Sequence, residues 1–154
     1  MKRTLLAALV VALFASLAGC AHIRPETGAR REQIQCTVSG YCKCGKCCNW
    51  KRNWFGRAVV ASGPQKGKPK KVGITASGTK ARPGVIAADT KHFPFGTVIY
   101  VPGFGYGRVE DKGRAIKEDR IDLFFASHGK ALKWGKQTKT VTVWYPSPPR
   151  RASR

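Results

Sequence analysis

Beyond residue 71 the chain breaks into short β-prone runs, each stopped by Gly, Pro, Asp or Lys, and this punctuation constrains the fold more than any other feature. The runs are Val72–Ala76, Val85–Ala88, Thr97–Val101, Tyr106–Glu110 and Ile121–Phe125, followed by Lys139–Trp144, which alternates cleanly; a further short strand is expected at Ile34–Ser39. Ser127 can cap one short helix over residues 128–134, which carries Leu132 and Trp134, and Gly135 is placed to end it. A chain of 154 residues with 17 Gly and 9 Pro has room for one turn-rich domain. Six or seven short strands and one helix favour a small closed barrel, because closure removes exposed strand edges.

Location is set by the first 20 residues. Lys2 and Arg3 precede an apolar run from Leu5 to Ala18, too short for a comfortable membrane span but suited to the core of a secretory signal. It ends in Leu17-Ala18-Gly19-Cys20, which resembles a bacterial lipobox; that resemblance implies cleavage before Cys20 and acylation of its thiol. An ordinary signal with an incidental Cys20 is the alternative. Ala21 would suit sorting to an outer membrane, facing the periplasm, in a host that has one. The expected divisions are a signal at 1–19, a polar tether at 20–34, a Cys-rich segment and basic loop at 35–71, the barrel at 72–145 and a disordered basic tail at 146–154.

The net charge is +21, from 29 Lys and Arg against 8 Asp and Glu. Such a field attracts any polyanion. Export removes nucleic acid as an expected partner and leaves anionic lipid and cell-wall polymer; removing Lys2 and Arg3 with the signal still leaves +19 for retention there.

Five of the eight carboxylates lie between Glu110 and Asp122. They serve either chemistry or pairing with nearby cations at solvated turns. Asp89 and Asp111 stand at strand ends, and Asp122 lies inside Ile121-Asp122-Leu123, flanked by apolar residues. A carboxyl in such a strand is partly desolvated, which favours its protonated form and makes Asp122 the best acid on physical grounds.

Ile74-Thr75-Ala76-Ser77-Gly78, Ile86-Ala87-Ala88-Asp89, Phe95-Gly96-Thr97, Val109-Glu110-Asp111-Lys112-Gly113, Ala115-Ile116-Lys117 and Ile121-Asp122, in this order, resemble the three-aspartate (3D) domain. That domain is the catalytic double-psi β-barrel of membrane-bound lytic transglycosylase A and of small stationary-phase survival proteins of spore-formers. The likeness covers residues 72–145, and the Cys-rich lead-in extends it to about residue 36. It implies an all-β, six-stranded double-psi barrel with one short helix and a Cys-rich, loop-rich N-terminal extension. It also implies cleavage of the bond between N-acetylmuramic acid and N-acetylglucosamine in peptidoglycan, giving 1,6-anhydro ends without water and without a cofactor. In that scheme Asp122 is the acid, Asp111 lies beside it, orients it and raises its pKa, Asp89 supports the site through hydrogen bonds, and Thr75, Ser77 and Lys117 line the groove. Two positions depart from the pattern, since Arg114 and Glu118 stand where the family has glycine; if the backbone there needs positive φ, both are costly. Asp119 is an extra acid that could couple to the site's titration. The alternatives are a non-catalytic wall-binding barrel and a hydrolase with Asp111 as base. A monomer is expected.

Beyond Cys20, the cysteines are Cys36, Cys42, Cys44, Cys47 and Cys48. Disulfides are the first expectation for an exported chain, but five is odd and two are adjacent. A structural Zn²⁺ on the four thiolates of the C-x-C-x-x-C-C run is the alternative. His22, His92 and His128 show no metal-ligand spacing and default to structural or surface roles. Trp134 and Trp144 are expected in the core, whereas Trp50, Trp54 and Phe55 on the basic loop either stack on sugars or cover the barrel.

Overall fold

The computed structural model describes residues 23–113 and 115–147. The expected signal, Cys20, His22, Arg114 and the tail from residue 148 lie outside them. Eight strands and two short helices follow in order: β1 (Arg31–Tyr41), α1 (Gly45–Cys48), β2 (Trp50–Arg52), β3 (Ala58–Val60), β4 (Val85–Ala88), β5 (Val98–Val101), β6 (Gly105–Asp111), β7 (Arg120–Phe124), α2 (His128–Trp134) and β8 (Lys136–Trp144). Among these no helix is long and apolar enough to cross a membrane.

Six strands close into a barrel in the order β1-β7-β4-β6-β5-β8. Two neighbouring pairs, β1 with β7 and β4 with β6, are parallel, and the other four pairings are antiparallel. This is the all-β double-psi arrangement expected from the sequence. Alternation fills the interior: Val38 from β1, Ile86 and Ala88 from β4, Ile121 and Leu123 from β7, and Val141 and Val143 from β8 are all fully buried in one cluster. Each such aliphatic side chain contributes about 1.5–3 kcal/mol by leaving water.

The helix at 128–134 forms as expected: the Ser127 hydroxyl accepts from the Lys130 amide at 3.3 Å, and Gly135 closes it at φ 70°. Ala131 is its buried residue, while Leu132 is exposed. Trp134 and Trp144 are half-buried rather than enclosed; Trp134 packs edge-on to Phe104 at 6.2 Å, and Trp144 lies 5.7 Å from Tyr106.

Three expectations are corrected. Residues 72–76 are not a strand: the Ala81 amide bonds the Gly73 carbonyl and the Thr75 amide the Thr79 carbonyl, so the segment curls on itself between Gly73 at φ 77° and Gly78 at φ 90°. The barrel is not complete within 72–145, because β1 supplies its first strand and pairs with β8 over nine positions, from Arg31 opposite Trp144 to Ser39 opposite Lys136. The basic loop contains a hairpin, with β2 and β3 paired from Trp50 opposite Val60 to Arg52 opposite Ala58.

Candidate active site

The ladder between β4 and β6 places one aspartate. Ile86 faces Val109, and regular continuation would put Glu110 opposite Ala87; the register instead shifts, and Ala87 faces Asp111. A one-residue slip exchanges the two faces of a strand. Asp111 therefore joins Ala87 on the outer face, while Glu110 is buried elsewhere and held by Arg82 at 3.1 Å and by the Thr79 hydroxyl at 2.6 Å. On its other side Ala87 faces Asp122 of β7. Asp122 alternates with the buried Ile121 and Leu123 and so points outward, half-buried. The two aspartates flank one alanine, and with strands about 4.8 Å apart their backbones stand about 10 Å from each other.

Strand β1 supplies a partner for each. Ser39 is the register partner of Asp122, and its hydroxyl donates to Asp122 Oδ1. Two residues on, the Tyr41 hydroxyl donates to Asp111 Oδ2 at 2.9 Å. The amides of Ala76 and Lys112 donate to Asp111 Oδ1 at 3.0 and 2.9 Å, so both oxygens of Asp111 are engaged. Burial, and then the charge of Asp111, hold the Tyr41 phenol well above its ordinary range, so it remains a donor. Ser39 and Tyr41 were not legible as site residues; their only signal is that they share one face of β1.

Both carboxylates line a groove of about 500 Å³, with Tyr41 and Ala87 beside them and Trp50 and Val60 of the hairpin opposite. Lys43, Lys70, Lys71 and Lys112 also line it, setting two anionic oxygens within a cationic surround. The Trp50 indole N–H is tied to the Lys43 carbonyl at 2.9 Å. Trp54 and Phe55, at the hairpin tip, are 96% and 81% exposed and do not cover the barrel.

Asp89, Thr75, Ser77 and Lys117 stand apart from this groove. Asp89 accepts from the Lys91 amide at 3.1 Å, which holds its carboxyl below the usual range, aided by the Glu118 amide and the charge of Lys117. It thus fastens the loop before β7 and does not line the groove. Thr75 is buried, and its hydroxyl is shared with Ser77 at 3.1 Å and Thr79 at 2.9 Å inside the turn. Lys117 lines a separate surface hollow with Asp119, and Asp119 pairs with His92 at 2.9 Å. Glu118 adopts φ 50°, the left-handed conformation that glycine would take without strain.

Among the described residues no two cysteine sulfurs are bonded to each other. Cys36 is enclosed in the barrel core, where burial pushes its thiol up to about 12. Cys48 donates to the Cys42 carbonyl at 3.1 Å. The other three thiols gather around His128, whose Nδ1 lies 3.4 Å from Cys47 and 3.6 Å from Cys44.

Residues 84–146, from β4 to the end of β8, match the family model of the 3D domain. Two Bacillus subtilis (strain 168) proteins, a putative cell wall shaping protein, YabE, and a cell wall-binding protein, YocH, are each 39% identical to this chain over 75 residues. The match covers 46% of this chain but only 18% and 26% of theirs. Solved structures with some likeness are the lytic transglycosylase LtgG of Burkholderia pseudomallei and E. coli MltA with bound chitohexaose. The first is 24% identical, with TM-score 0.39 over 49% of this chain and 27% of that one. The second is 21% identical, with TM-score 0.41 over 59% and 32%.

Proposed function

We propose that the chain is a peptidoglycan lytic transglycosylase of the cell envelope, with Asp122 as its acid and then its base. One observation carries this reading. Asp122 sits half-buried in the groove with one oxygen engaged by Ser39 and, among the described residues, the other without a hydrogen-bond partner, opposite an Asp111 held by Tyr41 and two amides. The protonated Asp122 gives its proton to the glycosidic oxygen as the bond to C1 of N-acetylmuramic acid breaks, releasing the 4-hydroxyl of the next sugar. The resulting carboxylate takes the proton of the C6 hydroxyl as that oxygen bonds to C1, closing the 1,6-anhydro ring and restoring the acid. Asp111 positions the sugar and supplies negative charge near the developing cation. The lysines around the groove suit a polymer that carries free carboxylates.

The likeness to a cell wall shaping and a cell wall-binding protein of Bacillus supports a cell-wall substrate, and the lipobox-like Cys20 supports a lipid anchor in the envelope. The cell wall-binding relative favours the second reading, a wall-binding barrel that cuts nothing. A hydrolase with Asp111 as base is a third reading, in which the attacking water would use the acceptor site that three hydrogen bonds leave on that carboxylate. The test is digestion of purified peptidoglycan with the mature chain, with the products read by mass spectrometry. Anhydro ends support the transglycosylase, reducing ends the hydrolase, and binding without new ends the wall-binding barrel.

A further inference from the structure

We propose that Cys42, Cys44, Cys47 and His128 form a structural zinc site that fastens the wall of the groove to the barrel. The four donor atoms come from two segments more than eighty residues apart, yet all lie within 4.8 Å of one another. Three of their six spacings match the edges of a coordination tetrahedron. With Zn–S of about 2.3 Å and Zn–N of about 2.0–2.1 Å, the edges of a tetrahedral site are about 3.8 Å between sulfurs and about 3.6 Å from sulfur to nitrogen. The Cys42–Cys47 sulfurs are 3.8 Å apart, and His128 Nδ1 stands 3.6 Å from Cys44 and 3.4 Å from Cys47. A disulfide would need the sulfurs at about 2.0 Å.

The backbone is shaped for the same end. Cys44-Gly45-Lys46-Cys47 turns through α1, and a side chain at Gly45 would meet the Trp50 carbonyl at 2.2 Å, so the turn closes only with glycine. Three soft thiolates and an imidazole select zinc over calcium or magnesium, and a full set of four protein donors leaves no open position for catalysis. On binding, the three thiols release their protons to solvent and His128 binds through neutral Nδ1, keeping its proton on Nε2. Cys48, expected among the ligands, is replaced by His128, because its sulfur turns to the Cys42 carbonyl.

The site stands where the Cys-rich segment meets α2, and Trp50 begins the groove's hairpin wall two residues after α1 ends. Metal there fixes the start of that wall to the helix that His128 opens.

The test is the metal content of the mature chain, purified under reducing conditions with zinc supplied, and the visible spectrum of its cobalt-substituted form. One zinc per chain is expected in the parent and in Cys48→Ser, and none in Cys44→Ser or His128→Ala. Cobalt should give thiolate charge-transfer and tetrahedral ligand-field bands in the parent, a readout that stands even if a variant fails to fold. A parent that takes up neither metal, with Cys42 and Cys47 joined in a disulfide by peptide mass, would overturn the proposal; so would full zinc retention in His128→Ala. None of these readouts depends on peptidoglycan cleavage, so the zinc site and the proposed activity can fail separately.

Discussion

Asp111 and Asp122 face the same residue, Ala87, from opposite sides, and the methyl group between them is all that occupies the strand separating the two acids. Ala87 is 3% exposed and shares the groove with both. Ala87→Leu should crowd this floor, lowering stability by about 1–3 kcal/mol. It should also cut the rate of anhydro product formation by about tenfold or more, because small displacements of reacting groups are costly. Unfolding curves and product rates on the same samples check both.

Tyr41→Phe removes the one side-chain donor to Asp111 among the described residues and keeps the ring that packs 5.4 Å from Phe124. Loss of this part-buried bond should cost about 1–3 kcal/mol of stability. The anhydro product rate should fall while affinity for peptidoglycan changes little, if Asp111 acts in the reaction rather than in retention. Paired binding and turnover assays separate the two effects.

Ser39→Ala should leave Asp122 in place on its strand but free to change rotamer. We expect a partial loss of turnover, smaller than that of Asp122→Asn. A variant indistinguishable from the parent in rate would remove Ser39 from the site.

Cys36 gives the fold an alkaline limit. Its thiol is raised to about 12 in the folded chain, first by burial and then by the charge of Asp119. An unfolded thiol ionises near about 8.5. The folded state therefore holds a proton that the unfolded state releases, so this contribution is whole below about pH 8.5 and is lost as pH rises toward the folded value. Stability should decline across that window. In Cys36→Ala the decline should be shallower, by up to about 1.4 kcal/mol per pH unit. Denaturant titrations at several alkaline pH values measure the difference.

Glu118 holds φ 50° with its side chain exposed. Glu118→Gly should therefore stabilise the chain by about 1 kcal/mol, raising Tm by about 2–4 °C. A lower Tm would mean that the Glu118 side chain holds the loop in a way its exposure does not reveal.

Elements with strong local signals were legible in the sequence. Val85–Ala88 and the helix with Ser127 and Gly135 at its ends stand as read, because apolar runs and caps act over a few residues. Val72–Ala76 misled, since β-branched residues there are curled by Gly73 and Gly78, and side-chain hydroxyls bond one another in place of a ladder. Asp111 and Asp122 could be picked out by their strand positions and by resemblance. Ser39, Tyr41 and His128 could not, because their importance arises from pairings across 83, 70 and more than eighty residues. The cluster of acids also looked more uniform than it is: Glu110 is tied to Arg82, Asp119 to His92, and only Asp111 and Asp122 enter the groove.

The most direct measurement is digestion of purified peptidoglycan by the parent and by Asp122→Asn, in water labelled with heavy oxygen, with the glycan ends read by mass spectrometry. Anhydro ends free of the label from the parent, and none from a variant that still binds, are the expected result. Labelled reducing ends, or equal cutting by the Asp122→Asn variant, would contradict the assignment of Asp122 as the acid of a lytic transglycosylase.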